Sequence, residues 1–481
     1  MKKYLFIVAA AVAMLASCSQ NDDLSAPVTQ QNTEDNAVQF GTYLGRSAGS
    51  RATNGYVGDI TDTQLKLAQA SKGGFGVFAY YTAADDYVWG NPGVKPNFMY
   101  NQGVFWELTA SSNKWEYTPV KYWPNGLDDL QSPAADGGDG DQFATPGGKV
   151  SFFAYAPYVD EPTGDQSSND GIVGMTANTV TNSDPKISYK LNPDNFVDLL
   201  WGTANVSGKS LDNNDQNGTT APTVGLGPVN VNLTKQQIDG KVRFLFKHAL
   251  AKVGGLSSAT PALNGLQIAL DIDDATHSSS AVKDASTKVT VKSIRISTDT
   301  NGDGTAENTI TTTGDLNLAT GVWDNKGVAN ASIDQSITTA GTDPVKKLNE
   351  AIAEPSTVTD WASIPEGVTV AKQDVYDADA TKTAFLYLPG ETPSLRFTID
   401  YIVRTQDSKI AGGWSQVEQT VSKLVTFTDA VKMNKLYNIV IYLGLTSVKF
   451  EASVADWSND IDDDTDTEDD IIYVDLPLNV D

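Results

Sequence analysis

Three oxygen-bearing side chains in the segment TDTNGDGTAENTI have the spacing of the first half of a calcium-binding loop. Asp299, Asn301 and Asp303 stand at positions one, three and five of such a loop, and a glycine follows them. Position twelve, where a bidentate Glu belongs, is Ile310, and Glu307 is a poor substitute. Because NGDG also suits a tight turn, we expect a hairpin between KSIRIS and NTITTTGDL rather than a metal site.

The other candidate residues give little support for catalysis. His248 and His277 are the only histidines, and His248 lies in an apolar strand, where we expect a hydrogen-bonded core group. No Cys/His cluster has metal-ligand spacing, and neither a G-x-S-x-G motif nor a phosphate loop occurs. Carboxylates are so numerous that a glycosidase-type pair cannot be recognised among them. We therefore predict a protein that is not an enzyme and that uses no cofactor.

The single cysteine, Cys18, stands where a chemical role is expected for it. The preceding residues MKKYLFIVAAAVAMLAS contain two lysines, an apolar stretch and small residues, as a secretory signal does. Leu15-Ala16-Ser17-Cys18 resembles a bacterial lipobox, in which the cysteine becomes the lipidated first residue. We predict a lipoprotein signal peptide over residues 1–17. The polar, acidic residues after Cys18 resemble the signal that sends Bacteroides-type lipoproteins to the outer face of the outer membrane.

The last eleven residues, IIYVDLPLNVD, have the alternation of a strand. Its alternate aliphatic residues are Ile472, Val474, Leu476, Leu478 and Val480. The acidic run over residues 460–470 favours an extended, self-repelling linker, and a divalent-ion site is the weaker interpretation of it. This arrangement predicts a strand over residues 471–481 that belongs to another sheet. A tail that pairs within its own monomer is the alternative.

Charge and composition restrict the class of protein. The formal net charge at pH 7 is −26 and becomes −28 when Lys2 and Lys3 leave with the signal peptide. Such a charge excludes nucleic acid as a partner, because phosphate binding needs patches of Lys and Arg. Hydrophobic residues make up 40% of the 481 residues, which indicates packed structure in a chain too long for one core.

The elements that would hold these residues are mainly strands. AVQFGTYLGR is strand-like, and we expect Val38, Phe40 and either Tyr43 or Leu44 to face inward. Aromatic segments such as GGFGVFAYYT, PNFMYNQGVFWEL and KVSFFAYAPY alternate with Gly, Pro and Asn spacers, which is typical of an all-β sandwich. One short helix is predicted in DPVKKLNEAIAEP, where Asp343 can cap and Pro344 suits the first turn.

Several segments, in this order, resemble the fimbrillins, the subunits of Bacteroides-type (type V) pili. They are FGVFAYYT, YTPVKYWPNG followed by KVSFFAYAPY, DLLWG, FKHALAKV and LYNIVIYLGLTSVKFEASVADW. The resemblance covers nearly the whole mature chain. It implies two tandem β-sandwich domains of transthyretin-like, Greek-key type, which we place at residues 47–275 and 276–459.

The same resemblance implies a route of maturation and assembly. Fimbrillins are exported as lipoproteins and then cut by an arginine-specific protease near the end of the first strand. Here the lipidated propeptide would cover residues 18–46 with the strand AVQFGTYLGR, and cleavage would follow Arg46 or Arg51. The groove left behind would take residues 471–481 of another copy, or of a related pilin, by β-strand addition. The expected locations are the outer membrane, through lipid on Cys18, and the fimbrium.

Two functions remain open at this level. The first is a structural pilus subunit that supports adhesion. The second is a surface lipoprotein or pilus-tip adhesin that binds glycans or host proteins, for which four aromatic rings could provide stacking surfaces, although core packing is the better interpretation. They are Trp89, Trp106, Trp115 and Trp123. A removable first strand together with a detached terminal strand favours the first function, because a lone binding protein needs neither.

Overall fold

The computed structural model describes residues 37–43, 60, 62–106, 114–124, 148–160, 162, 171–192, 197–204, 230–233, 241–254, 266–270, 281–282, 287–338, 346–347, 368–369, 373–374, 384–443, 448–456, 474–476 and 478–480. The predicted signal peptide and acidic linker lie outside these ranges. So do five residues to which the sequence gives a possible role: Cys18, Arg46, Arg51, His277 and Ile472.

Strands make up nearly all of the regular structure, as predicted. The first ten are β1 Gln39–Tyr43, β2 Phe75–Ala83, β3 Met99–Trp106, β4 Trp115–Glu116, β5 Lys149–Ala156, β6 Gly171–Met175, β7 Lys186–Lys190, β8 Leu200–Ala204, β9 Asn230–Leu233 and β10 Lys241–His248. The next twelve are β11 Ala251–Gly254, β12 Leu266–Leu270, β13 Ala281–Val282, β14 Thr287–Ser297, β15 Ile310–Thr311, β16 Thr313–Asn317, β17 Trp323–Asp324, β18 Ala329–Ala331, β19 Asp334–Thr338, β20 Lys346–Lys347, β21 Val368–Thr369 and β22 Gln373–Asp374. The last seven are β23 Ala384–Tyr387, β24 Ser394–Gln406, β25 Trp414–Phe427, β26 Lys435–Leu443, β27 Val448–Asp456, β28 Val474–Leu476 and β29 Leu478–Val480. Within the described residues, the helical elements are α1 Asp62–Leu65 and a 3-10 turn, Gln69–Ser71.

An eight-stranded sheet contains most of the first half of the chain. Its order is β1-β10-β8-β5-β2-β3-β4, and β9 pairs with β5. The central strands β2 and β5 are apolar at nearly every position and are buried on both faces, as expected for strands that separate two cores. One face contributes Phe75, Phe152 and Phe244 to a core that β1 closes. The other face contributes Phe78 and Phe153 to a core continuous with the rest of the protein.

Two larger sheets and two small ones complete the second half. In the first, β26 pairs on one edge with β11 and β12 and on the other with β27. In the second, the order is β19-β14-β24-β25-β29, with a long ladder between β24 and β25. The pairs β13-β21 and β15-β18 form two-stranded sheets. The prediction of an all-β sandwich fold is confirmed.

Some strand pairs cross the predicted domain boundary after residue 275. Strands β11 and β12 precede that boundary but pair with β26. Conversely, β16 follows it but pairs with β7, and together with β6 and β17 they form a four-stranded sheet. Strand partners can be distant in sequence, so the linear order of segments does not indicate this exchange, and the two-domain division stays a prediction.

The predicted helix in DPVKKLNEAIAEP is wrong at the two residues that the structure describes. Lys346 and Lys347 form β20 and pair antiparallel with Val291 and Thr290 of β14. The open edge of β14 beside β19 offers backbone partners there, and this pairing overrides the local helical preference. The rest of that segment lies outside the described residues.

Candidate functional site

Strand β1 occupies a slot between two other parts of the chain. Along one edge it pairs parallel with β10, from Gln39 opposite Lys241 to Tyr43 opposite Leu245. Along the other edge, the N–H of Val38 donates to the carbonyl of Lys121 at 2.9 Å, and an isolated β-bridge joins Ala37 to Tyr122. An extended segment in this slot therefore has backbone partners on both sides.

The side chains of β1 alternate between core and solvent. Val38 and Phe40 are buried, at 1% and 5% exposure, and Gln39 between them is exposed. The ring of Phe40 has four aromatic neighbours at centroid distances of 5.3 to 6.1 Å. These neighbours are Phe75, Tyr117, Phe152 and Phe244. The prediction that Val38 and Phe40 face inward is confirmed, and Phe40 fills the centre of this core.

Tyr117 links the backbone of β1 to the second wall of the slot. Its hydroxyl donates to the carbonyl of Val38 at 2.8 Å and accepts the N–H of Lys121 at 3.2 Å. Burial raises the pKa of Tyr117 to about 12, so the hydroxyl keeps its proton at neutral pH. No motif in the sequence pointed to Tyr117. The available signal was general: a buried tyrosine usually has a partner for its hydroxyl.

Thr42, two residues after Phe40, is less well suited to the core than Val38 and Phe40. The hydroxyl oxygen of Thr42 is buried, and within the described part of the chain it has no hydrogen-bond partner. A buried polar group without a partner costs on the order of 1–3 kcal/mol relative to its hydrated state. An aliphatic side chain at this position would avoid that cost.

The C-terminal tail pairs with its own chain, and its role as a donor strand for another subunit stays a prediction. β28 pairs antiparallel with β27, Val474 opposite Val454 and Leu476 opposite Ala452. β29 pairs antiparallel with β25, with Leu478 opposite Phe427. The edges of β25 and β27 carry backbone groups that need partners, and the nearest strand-forming segment satisfies them.

The two halves of the tail belong to different sheets. β28 joins the sheet of β26 and β27, whereas β29 joins the sheet of β24 and β25. Leu478 packs against the main core, but Val480 is 40% exposed. Each half pairs through only three residues. The tail is therefore attached to the rest of its own chain by two short ladders at sheet edges.

The predicted turn around Asp303 is not a hairpin. Both edges of β14 are occupied, by β24 and by β19 with β20, so β15 pairs with β18 instead. The intervening loop brings carboxylate oxygens of Asp299, Asp303 and Glu307 within 4.8 Å of one another. The side-chain oxygen of Asn301, the residue predicted at position three of the loop, accepts the N–H of Asp303 at 2.8 Å.

Hydrogen bonds within the loop account for this acidic cluster. The two carboxylate oxygens of Asp299 accept the N–H groups of Gly302 and Gly304, at 2.6 and 2.9 Å. The N–H of Thr305 donates to Asp303 and holds the pKa of that carboxyl below its usual value. Glu307 accepts from the backbone and hydroxyl of Thr300. Apart from Oε1 of Glu307, which is buried without a hydrogen-bond partner among the described residues, these bonds account for the cluster, and we assign it no metal.

His248 is a structural core residue, as predicted. It is buried, and its Nδ1 lies 2.7 Å from a carboxylate oxygen of Asp198, which is also buried. The same oxygen accepts the N–H of Ile60 at 2.9 Å, and the N–H of His248 donates to the side chain of Asn434 at 3.1 Å. The pair thus ties together segments that are distant in sequence.

The four tryptophan rings considered for sugar stacking are used in internal packing. Trp115 and Trp123 are buried, at 8% and 4% exposure. Trp106 meets Trp115 edge to face at 5.5 Å and lies under the Nζ of Lys66 at 4.7 Å. Trp89 packs at the same centroid distance, 5.5 Å, against a buried tyrosine, Tyr87. This arrangement favours the core-packing interpretation made from the sequence.

None of the helices in the described ranges has the length and apolarity needed to cross a bilayer.

Comparison with known proteins identifies relatives of one kind. The chain is 28% identical over 202 residues to a fimbrium subunit, Fim1C, of Phocaeicola vulgatus. That match spans 41% of this chain and 42% of the relative, less than half of its length. No protein-family model matches the chain.

One solved structure supports the fold. A fimbrial protein from Bacteroides vulgatus aligns with 88% of this chain and 99% of its own, with a TM-score of 0.50 and 17% identity. A protein from Bacteroides uniformis, named as a cell adhesion protein, aligns over the same shares with a TM-score of 0.32 and 14% identity. The fimbrial structure supports the all-β fold. The curated subunit is a relative of the kind that the sequence resembles.

Proposed function

We propose that this chain is a structural subunit of a fimbrium, exported as an outer-membrane lipoprotein and assembled by strand exchange. Proteolysis after Arg46 removes β1, and the tail of another copy enters the slot. The observation that carries the proposal is the placement of residues 37–43, which end in β1. This short extended segment near the predicted cleavage site has backbone partners on both edges, and its side chains fill a core.

Loss of β1 would leave unpaired backbone groups and an exposed apolar groove. The edge of β10 loses a ladder five residues long on one side of the slot, and the carbonyl of Lys121 loses a hydrogen bond on the other. The aromatic rings around Phe40 become exposed to water. Exposed edges and apolar grooves of this kind favour pairing with an added strand.

The tail has the composition of that strand. It offers four alternate aliphatic side chains after Ile472, and together the five contribute on the order of ten kcal/mol if fully buried, before ordering costs. No hydroxyl would then lie at the position of Thr42. In its own domain the tail forms only two three-residue ladders, so release costs less than a long ladder would.

Lipidation of Cys18 is expected to anchor the precursor. A Cys18→Ala variant should carry no lipid label, because the chain has no other cysteine. Each buried CH₂ adds roughly 0.8 kcal/mol to membrane affinity, so anchoring is stable with more than one acyl chain. The measurement is palmitate labelling followed by membrane fractionation; label retained in the variant would contradict the assignment.

Cleavage is expected after Arg46. The double variant Arg46→Ala, Arg51→Ala should remain lipid-linked and monomeric under arginine-specific protease, whereas the wild type loses residues 18–46 and assembles. Mass analysis of assembled material gives the new N-terminus. Residue 47 is the expected start, and residue 52 would move the cut to Arg51. A start before residue 40 would contradict strand removal.

A further inference from the structure

Both backbone polar groups of Val38 form hydrogen bonds on the side of the slot that contains Tyr117 and Lys121. Its N–H donates to the carbonyl of Lys121, and its carbonyl accepts from the hydroxyl of Tyr117. In a strand, the polar groups of successive residues point to opposite edges, so Gln39 faces β10 when Val38 faces this wall. Lys121 and Tyr117 therefore bind one residue of the bound strand, Val38, through both its N–H and its carbonyl.

Alternation alone leaves the register of an incoming tail undecided. A slip by one residue is blocked, because it would turn every aliphatic side chain away from the core. A slip by two residues keeps the same face inward. Val474, Leu476, Leu478 and Val480 are similar in size and could each lie at the position of Val38. A specific contact is therefore needed to favour one of these registers.

We propose that Tyr117 sets the register of the strand in the slot, first of β1 and then of the tail of a second copy. The second step rests on the proposed strand exchange. Tyr117 is suited to this because its hydroxyl is fixed by the N–H of Lys121 and its ring lies 5.3 Å from Phe40. The residue that takes the position of Val38 must be apolar and must have an N–H to donate to the carbonyl of Lys121. Pro477, which lacks an N–H, lies in the opposite phase of the tail.

Disulfide mapping tests the register directly. The full chain would carry Cys18→Ala, Tyr122→Cys and Leu476→Asp. Tyr122 is 55% exposed and bridges Ala37, and Leu476→Asp keeps the chain's own tail out of the slot. After arginine-protease treatment it is oxidised with synthetic peptides of residues 471–481, each with one cysteine at a different position. With Tyr117 present, one peptide position should dominate. With Tyr117→Phe, the cross-links should spread to positions two residues apart, and the peptide should bind about tenfold more weakly.

A matched control is Tyr158→Phe, which removes a hydroxyl bonded at the surface to Asp160 at 3.0 Å. It should leave both the dominant position and the affinity unchanged. A single unchanged position in Tyr117→Phe would overturn the proposal, whatever happens to affinity, because general destabilisation of the fold weakens binding without spreading the register.

Peptides of residues 36–46 separate this proposal from the proposed exchange. They restore β1 itself and need no donor tail. If they bind in one register that Tyr117→Phe spreads, while tail peptides do not bind at all, the exchange with the tail fails and the role of Tyr117 stands. If their register is unchanged in Tyr117→Phe, the role of Tyr117 is wrong even where tail peptides bind.

Discussion

Deletion of residues 471–481 should leave a folded, soluble monomer that no longer polymerises after proteolysis. The tail holds its own domain by three-residue ladders to β25 and β27, and Val480 is substantially exposed, so we expect a modest loss of stability, about 1–3 kcal/mol. Assembly should be lost entirely, because the slot has no donor. Thermal unfolding and size-exclusion chromatography measure the two effects.

A pair of point variants sharpens this prediction. Leu476→Asp should prevent assembly as the deletion does, because an unpaired charge is strongly disfavoured in an apolar slot. Asp475→Asn, in the opposite phase of the strand, should assemble normally. If the deletion variant unfolds, the tail is an integral strand of its own domain. If it polymerises, the donor lies elsewhere.

Phe40→Ala should destabilise the precursor yet speed its assembly after cleavage. Truncating a buried Phe costs about 3–5 kcal/mol, and Phe40 contacts four aromatic rings. Once the chain is cut, β1 is held only by noncovalent contacts, so the weaker strand should leave faster. Gln39→Ala, at an exposed position of the same strand, is the control and should change neither quantity.

Denaturant unfolding of the uncut precursor and the rate of oligomer formation after proteolysis measure these effects. The account requires them to move in opposite directions. A Phe40→Ala precursor of unchanged stability would show that β1 does not fill the core. Slower assembly in that variant would show that β1 stays in the subunit.

The sequence predicted features that local pattern determines. Alternation identified the inward faces of Val38 and Phe40, and the apolar surroundings of His248 predicted its buried, hydrogen-bonded state. The aromatic segments predicted an all-β fold. These features depend on side-chain type and on period two, both of which can be read within a few residues.

Features that depend on distant partners could not be predicted in the same way. The tail has the alternation of a strand, but nothing local indicates that its halves pair with β27 and β25. NGDG has the composition of a hairpin turn, but the edges of β14 are occupied by other strands. The bond from Tyr117 to Val38 joins residues far apart in sequence and leaves no periodic signal. Long-range strand order decides all three.

The central claim is that loss of β1 allows subunits to join through their tails. Its most direct test is a time course of arginine-specific proteolysis, with residues 18–46 followed by mass analysis and oligomers followed on unboiled SDS gels. A ladder of SDS-resistant oligomers should appear as the propeptide strand is lost, and boiling should return it to monomers. A ladder that forms while β1 remains attached, or complete loss of β1 without any oligomer, would contradict the claim.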